Sequence, residues 1–168
     1  MNLRVKIKRL NELVELPKYA KPGDAGFDLV AAEDVIIEPG EVKIVPTGLA
    51  FEIPPGYELQ VRPRSGISVR TKLRVILGTV DSGYRDGVGV IVENTASHSD
   101  FSGCTVSGLN GDVVDTKSPV NEEARIVQKG DRIAQGVIAP VETAHFVEVD
   151  KLSDSERGLG GFGSTGVK

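Results

Sequence analysis

The 168-residue chain has no tryptophan, only one cysteine and two histidines. The lone Cys104 excludes an internal disulfide and fits a reducing compartment. One cysteine and two histidines are too few for the usual closed zinc site. No apolar run approaches the ~20 residues that span a bilayer. Charges also interrupt the opening stretch MNLRVKIKRL, where a secretory signal needs an apolar core. We therefore expect a single cytoplasmic domain over residues 1–168, with no membrane partner.

The chain also lacks a surplus of positive charge and has few aromatic rings. The net charge is −4, there is no basic block, and aromatic residues make up 5% of the chain. Duplex-binding domains concentrate Lys and Arg on one face, and single-strand binders stack bases on aromatic rings. We therefore expect no duplex nucleic acid partner.

The periodicity that is present is that of strands. LRVKIK and YELQVR alternate apolar and polar residues, which is typical of half-buried strands. VGVIVEN and RIAQGVIAPV are short β-branched runs that indicate buried strands, and HFVEVD predicts another late strand. Turn sequences such as EPGE, PPGY and QKGD separate these segments, and only SGISVRTKL and NEEAR have room for a short helix. The pattern predicts an all-β sandwich, jelly roll or barrel.

Residues 95–120 interrupt this rhythm with a polar, Gly/Ser-rich stretch. Connections longer than ~12–15 residues are uncommon in compact domains. We interpret this stretch as an inserted surface loop or hairpin built around CTVSG and DVVD. Because long loops often carry function, a protein partner at the insertion is one hypothesis, and plain decoration is the other.

The segment RGLGGFGSTG, residues 157–166, resembles two nucleotide-binding patterns without satisfying either. Gly158, Gly160 and Gly163 match G-x-G-x-x-G, but the five residues after Gly163 leave no room for the helix that this motif requires. The P-loop pattern fails as well, because Ser164 stands where it needs lysine.

The chemistry that these patterns share nevertheless remains in the segment. Backbone N–H groups around Gly163 and the hydroxyls of Ser164 and Thr165 suit phosphate oxygens. Arg157 adds a forked cation for a terminal phosphate, and the isolated ring of Phe162 suits stacking on a base. The alternative is a solvated, flexible tail.

Four further stretches favour the nucleotide interpretation: PGDAGFDL (22–29), PRSGIS (63–68), GTVDSGYRDGVGVIVEN (78–94) and KGDRIAQGVI (129–138). With the tail they resemble, in order, the five motifs of the trimeric dUTPases. The resemblance implies a jelly-roll subunit that assembles as a homotrimer, with active sites between subunits. It also implies that a C-terminal arm, residues 155–168, closes over a bound nucleotide.

In this resemblance Asp81 is the general base that activates water; its alternative role is that of an Asx-turn residue. Tyr84 is expected to stack against the deoxyribose and exclude a 2′-hydroxyl, the alternative being a cross-strand packing role. Gly78 and Gly89 are expected to let backbone groups approach and read uracil. Cytosine would be rejected by a reversed hydrogen bond, and thymine by a pocket too tight for its methyl group.

The phosphates are assigned to a second set of residues. Gln135 is expected to point inward from a strand and to need a phosphate as its partner. Asp131 and Arg132 are expected to form a structural ion pair or intersubunit contacts, and Asp28 to act one layer behind, through a metal's water or through hydrogen bonds alone. The remaining phosphate contacts are assigned to Arg64, Ser65 and Gly66.

The cofactor implied by the resemblance is Mg²⁺, held by the substrate phosphates and waters with no direct protein ligand. The chain departs from the family pattern at Asp86, where glycine is usual, and at Gly136, where a large apolar residue is usual. Glycine at 136 is expected to leave a small void or to allow tighter backbone packing.

The resulting hypothesis is hydrolysis of dUTP to dUMP and pyrophosphate, with water attacking the α-phosphorus. This reaction limits uracil in DNA and supplies dUMP for dTTP synthesis. Two alternatives remain open: a dCTP deaminase of the same fold, and a nucleotide-gated interaction protein that uses the insertion.

Overall fold

The structure is a computed structural model that describes residues 3–160. These residues form twelve strands and one short helix, so the all-β prediction is confirmed. The bounds are β1 Lys6–Arg9, β2 Phe27–Val30, β3 Val35–Ile37, β4 Val42–Glu52, β5 Tyr57–Pro63, α1 Ser65–Arg70, β6 Leu73–Val75, β7 Gly78–Val80, β8 Gly87–Asn94, β9 Ser102–Gly108, β10 Val113–Asn121, β11 Arg125–Val127 and β12 Arg132–Pro140.

The strands build three four-stranded sheets, with the orders β1-β4-β8-β6, β10-β9-β11-β3 and β2-β12-β5-β7. All neighbours are antiparallel except β9 and β11, which run parallel. The alternation read from the sequence places the core: Leu59 and Val61 of YELQVR are buried, while the residues between and after them face outward. VGVIVEN buries one face only, since Val90 is buried and its neighbour Ile91 is exposed.

The two predicted helices have different outcomes. SGISVRTKL contains α1, whose Ile67 is buried, so this prediction is confirmed. NEEAR is not helical: the N–H of Ala124 donates to the carbonyl of Asn121 at 2.9 Å, and this turn leads directly into β11 at Arg125. Within the described residues no helix is long and apolar enough to cross a membrane.

The predicted strand HFVEVD is wrong. Residues 141–160 contain no strand, and beyond the N–H of Val141, which donates to the carbonyl of Gly56 at 2.8 Å, their backbone makes no hydrogen bond to the rest of the described chain. Phe146 is 91% exposed. The segment has the alternation of a strand, but within the described chain it meets no sheet edge to pair with.

Residues 95–120 contain most of a hairpin formed by β9 and β10, with a register shift between Asp115 and Val120. Because β9 also pairs with β11, the hairpin forms part of the sheet β10-β9-β11-β3 and is not an isolated surface loop. A second, smaller core of Val106, Ala124 and Ile126 lies under it. A protein partner at this segment stays a prediction.

Candidate active site

One sheet collects four of the five motif stretches. In the order β2-β12-β5-β7, β12 lies between the strand that ends PGDAGFDL and the strand that leads into PRSGIS, and β7 begins GTVDSGY. The register places Gln135 opposite both Asp28 and Arg62. Residues distant in the sequence therefore meet at the end of this sheet where β5 passes into α1.

Asp28 is held between two arginines at this end of the sheet. Its Oδ1 lies 3.1 Å from Nε of Arg64, and its Oδ2 lies 3.4 Å from Nη1 of Arg132. Arg64 also donates from Nη1 to the carbonyl of Arg132 at 2.9 Å. The expected ion pair of Arg132 with Asp131 is not formed in the chain, because Arg132 pairs with Asp28 instead.

Next to this group lies a cavity of about 550 Å³, which we call the arginine pocket. It brings together Arg64, Ser65 and Gly66, as the motif comparison expects, and adds a guanidinium from Arg70. A site with several guanidinium groups suits a multiply charged anion, because each fork can hold two oxygens. Its other lining residues are Ile67, Leu109, Asn110, Gly130, Asp131 and Arg132.

Three of these pocket residues lie outside the motif stretches, and the sequence reasoning missed them. Arg70 lies at the last position of α1, and its spacing from Arg64 is a usable signal only once the short helix is known. Leu109 and Asn110 come from the turn of the β9–β10 hairpin, and no motif marks them.

Asp131 is the acidic residue of the arginine pocket. Burial raises the pKa of its carboxyl group, a hydrogen bond from the Gln128 N–H at 2.9 Å lowers it, and the nearby charges of Asp112 and Asp34 raise it further. The net pKa is above the ordinary aspartate value. The fold therefore holds this carboxylate at a cost when it is ionised.

Asp81 lies in the turn between β7 and β8. The turn is closed by its backbone, since the N–H of Tyr84 donates to the Asp81 carbonyl at 3.1 Å. The Asp81 side chain is exposed and makes none of the hydrogen bonds of an Asx turn among the described residues. The Tyr84 hydroxyl donates to the carbonyl of Gly87 at 3.2 Å. The carboxylate is thus free to face a ligand.

A second cavity, of about 180 Å³, opens beside this turn, and we call it the β7–β8 pocket. It is smaller than the roughly 300–1,000 Å³ of ligand pockets in general, so it suits a single ring. Its lining residues are Thr79, Val80, Asp81, Tyr84, Gly87, Val88 and Gly89.

The glycines around the β7–β8 pocket also have packing roles. A Cβ at Gly89 would collide with the side chain of Ile44 on β4, so the present packing of Ile44 favours glycine there. Gly78 is not among the lining residues, and a Cβ there would lie 3.3 Å from Cβ of Val61.

Asp86, where the family pattern usually has glycine, takes part in hydrogen bonds within the turn between β7 and β8. Its Oδ1 accepts from the N–H of Gly87 at 2.7 Å. Arg85 donates from Nη1 to the carbonyls of Ser82 and Tyr84 at 2.6 and 2.8 Å. These bonds fix the loop that carries Tyr84.

On β12 the expectation for Gln135 needs correction, and one of the two alternatives for Gly136 is excluded. Gln135 is exposed, so the argument that an inward amide requires a phosphate partner does not hold. Gly136 is buried and leaves no void, because the ring of Phe27 occupies the space where a side chain would lie.

The arginine pocket and the β7–β8 pocket do not meet within one chain. Val80 pairs with Leu59, which places Asp81 beside Glu58. Arg64 is six residues beyond Glu58, or ~20 Å along an extended strand. Arg157 is exposed, and within residues 3–160 its Nε donates to the nearby carbonyl of Gly160 at 2.8 Å. The sequence-predicted residues Phe162, Gly163, Ser164 and Thr165 lie outside the described residues.

Within residues 3–160, no group of three or more His, Cys, Asp or Glu side chains is arranged to hold a metal ion. Asp28 pairs with two of the pocket arginines, Arg64 and Arg132, and both of its oxygens are engaged in these pairs.

These features define an all-β protein of the jelly-roll class with an anion pocket and a separate ring-sized pocket. A sequence model of the dUTPase family matches residues 12–102 and 117–166. The chain belongs to the dUTPase family.

Curated relatives and solved structures agree with this assignment. The deoxyuridine 5′-triphosphate nucleotidohydrolase of Thermobifida fusca is 48% identical over 98% of this chain and 79% of its own length. The enzyme of the same name from Nautilia profundicola is 46% identical over 98% of this chain and 99% of its own length. A mutant dUTPase of Staphylococcus bacteriophage 80alpha, solved with dUpNHpp, has a TM-score of 0.90 and 32% identity, covering 98% of this chain and 99% of that one. A mutant dUTPase from phage phi11 of S. aureus, described with a structural Mg(II) ion, has a TM-score of 0.83 and 30% identity, covering 88% and 97%.

Proposed function

We propose that this protein hydrolyses dUTP to dUMP and pyrophosphate. The observation that supports the proposal is that Arg64, Ser65 and Gly66 line a pocket suited to a polyanion, while Asp81 and Tyr84 line a ring-sized pocket. Phosphoryl transfer needs an oriented nucleophile and charge stabilisation more than it needs covalent chemistry. The two pockets supply these two requirements.

In this mechanism Asp81 accepts a proton from the water that attacks the α-phosphorus. Its exposed carboxylate lies at the rim of the β7–β8 pocket, where a water and the nucleotide can both reach it. The uracil ring of the nucleotide occupies the β7–β8 pocket, and backbone groups of β7 and β8 form hydrogen bonds to the edge of the ring. Tyr84, held by its hydrogen bond to Gly87, places its ring against the deoxyribose.

The triphosphate occupies the arginine pocket. Arg64, Arg70 and Arg132 neutralise its charge, and the Ser65 hydroxyl and Gly66 N–H donate to its oxygens. Mg²⁺ suits this site when the phosphates and waters provide most of its ligands, with Asp28, beside Arg64, as a carboxylate that meets a bound water. When bound, the ion supplies charge neutralisation and alignment of the phosphates.

We propose that the working site forms between subunits of a homotrimer. Trimeric assembly is known for this fold. Two features of this chain support it. About 20 Å along β5 separates Asp81 from Arg64. The segment 141–160, which includes Arg157, is almost wholly exposed, and beyond Val141 its backbone makes no hydrogen bond to the rest of the described chain. The arm, with Phe162 to Thr165, would close over a nucleotide held by neighbouring subunits. Product dUMP would feed dTTP synthesis, and removal of dUTP would keep uracil out of DNA.

Asp81→Asn tests the assignment of the base. The amide keeps the size of the side chain but cannot accept a proton, so we expect turnover to fall by about 10²–10⁴ while a non-hydrolysable dUTP analogue still binds. Asp86→Asn is the matched control in the same turn, because its amide oxygen can still accept from the Gly87 N–H. Turnover of Asp81→Asn equal to that of this control would refute the assignment.

The dCTP deaminase alternative is separated by substrate. Incubation with dUTP and with dCTP, followed by assays for pyrophosphate and ammonia, is expected to give pyrophosphate from dUTP alone. Ammonia from dCTP without pyrophosphate release would replace the proposed function.

A further inference from the structure

The turn of the β9–β10 hairpin forms part of the arginine pocket. Leu109 and Asn110 line the pocket together with α1 and the start of β12. Leu109 packs against the main hydrophobic core, which fixes the turn against the body of the protein. The hairpin therefore contributes a wall to the site as well as surface.

The backbone of this turn is held in one conformation. The N–H of Gly108 donates to the carbonyl of Asp112 at 2.8 Å, and the N–H of Gly111 donates to the carbonyl of Gly108 at 3.2 Å. Gly111 has φ of +82°, in the left-handed region that favours glycine. Because the backbone of the turn is already fixed, less conformational entropy is lost when a side chain on it binds a ligand.

Asn110 is the exposed polar side chain that this turn presents at the pocket. Its carboxamide carries two N–H donors without adding charge. The Asn110 carboxamide therefore adds hydrogen-bond donors for phosphate oxygens to those of the guanidinium groups of Arg64, Arg70 and Arg132. It lies outside the segments that the family model matches, since residues 103–116 separate them.

We propose that Asn110 is a substrate-binding residue that donates to the phosphates beyond the α position of a bound nucleoside triphosphate. This inference rests on the proposed function. The competing explanation is purely conformational, because Asn-Gly is a favoured hairpin turn sequence. A substitution that keeps the turn but removes the amide separates the two.

Asn110→Gly is that substitution, since glycine is tolerated in such turns. Calorimetry would compare wild type and variant with dUMP and with the non-hydrolysable dUTP analogue, both with Mg²⁺. Loss of a hydrogen bond to a charged phosphate is expected to weaken analogue binding about tenfold and to leave dUMP binding unchanged. Asn110→Asp also keeps the turn. Its carboxylate repels the phosphates and is expected to weaken analogue binding further, and the difference in affinity from wild type is expected to shrink at high salt because salt screens this repulsion. Thr105→Ala, on an exposed position of β9, is the control expected to bind as wild type.

Analogue binding by Asn110→Gly equal to wild type would overturn this inference and leave the proposed function standing. Equal weakening toward dUMP and the analogue would also overturn it, because the residue would then act on the whole site through the turn. A wild-type protein that binds neither ligand would overturn the proposed function and this inference together.

Discussion

Gly136 lies on β12 against the ring of Phe27, and adding one methyl group there tests how this part of the core is packed. The Cβ of Gly136→Ala would lie 2.6 Å from Cε2 and 2.7 Å from Cζ of Phe27, and 3.0 Å from Cδ1 of Leu59. Carbon atoms in good contact are about 3.5–4.0 Å apart, so the ring would have to move by about 1 Å.

The ring of Phe27 has two aromatic contacts that such a movement would disturb. It meets Tyr19 edge to face, with centroids 5.7 Å apart, and stacks on Phe51 at 6.1 Å. Overpacking of this kind costs about 1–3 kcal/mol. Alanine returns about 0.4–1 kcal/mol by restricting the unfolded chain. We therefore expect a net loss of about 1–2 kcal/mol, which corresponds to a Tm lower by about 2–8 °C.

The assay is thermal and chemical unfolding at one fixed protein concentration, since assembly makes stability depend on concentration. Gly103→Ala is the matched control, because a Cβ there meets nothing within 4 Å. Phe27→Leu combined with Gly136→Ala is expected to lose less stability than the sum of the single changes, since the smaller side chain leaves room for the methyl group. If Gly136→Ala is as stable as Gly103→Ala, the packing argument is wrong.

The remaining predictions concern Asp131, which lines the arginine pocket, and Asp28, which pairs with two of its arginines. The pKa of Asp131 is raised in the folded state. The carboxyl group therefore stabilises the fold at pH values below its ordinary pKa of 3.8, and this contribution to the free energy of unfolding is lost as pH rises through the folded pKa. Asp131→Asn removes the titration while its amide oxygen still accepts from the Gln128 N–H. We therefore expect the stability of the variant relative to wild type, measured by denaturant unfolding, to increase as pH rises above the ordinary value of 3.8. A difference that does not change with pH would contradict the assignment. Asp28→Asn loosens Arg64 and Arg132, so we expect KM for dUTP to rise about tenfold with a smaller change in kcat; steady-state kinetics would contradict this if kcat alone fell.

Local alternation was enough to place several strands. Leu59 and Val61 fall on the buried face of β5 as their spacing predicts. The longest strand, β4, was missed because Pro46 and Gly48 break the apolar pattern of VKIVPTGLAFE. HFVEVD failed for the opposite reason: it has the pattern of a strand but meets no partner within the described chain. Pairing is a tertiary property, and sequence periodicity alone does not contain it.

The same contrast between local sequence pattern and tertiary pairing holds for the candidate site. The motif stretches identified the residues, but only the sheet order explains why Asp28, Arg64 and Arg132 meet, since β12 pairs with both β2 and β5. Gln135 was misplaced because an apolar run gives no sign of which side chain faces outward. Asn110 was missed because its position in the pocket depends on how the β9–β10 hairpin folds back onto the body.

The central claim is that dUTP is hydrolysed at a site that takes Asp81 from one subunit and Arg64 from another. The direct test mixes two weakly active variants, Asp81→Asn and Arg64→Ala, by co-refolding them in equal amounts after each has been shown to assemble. If the site is shared, about one quarter of the sites in random mixed trimers carry both original residues, and the mixture should recover about that fraction of wild-type activity with dUTP. Activity no higher than the average of the two variants alone would contradict the shared site.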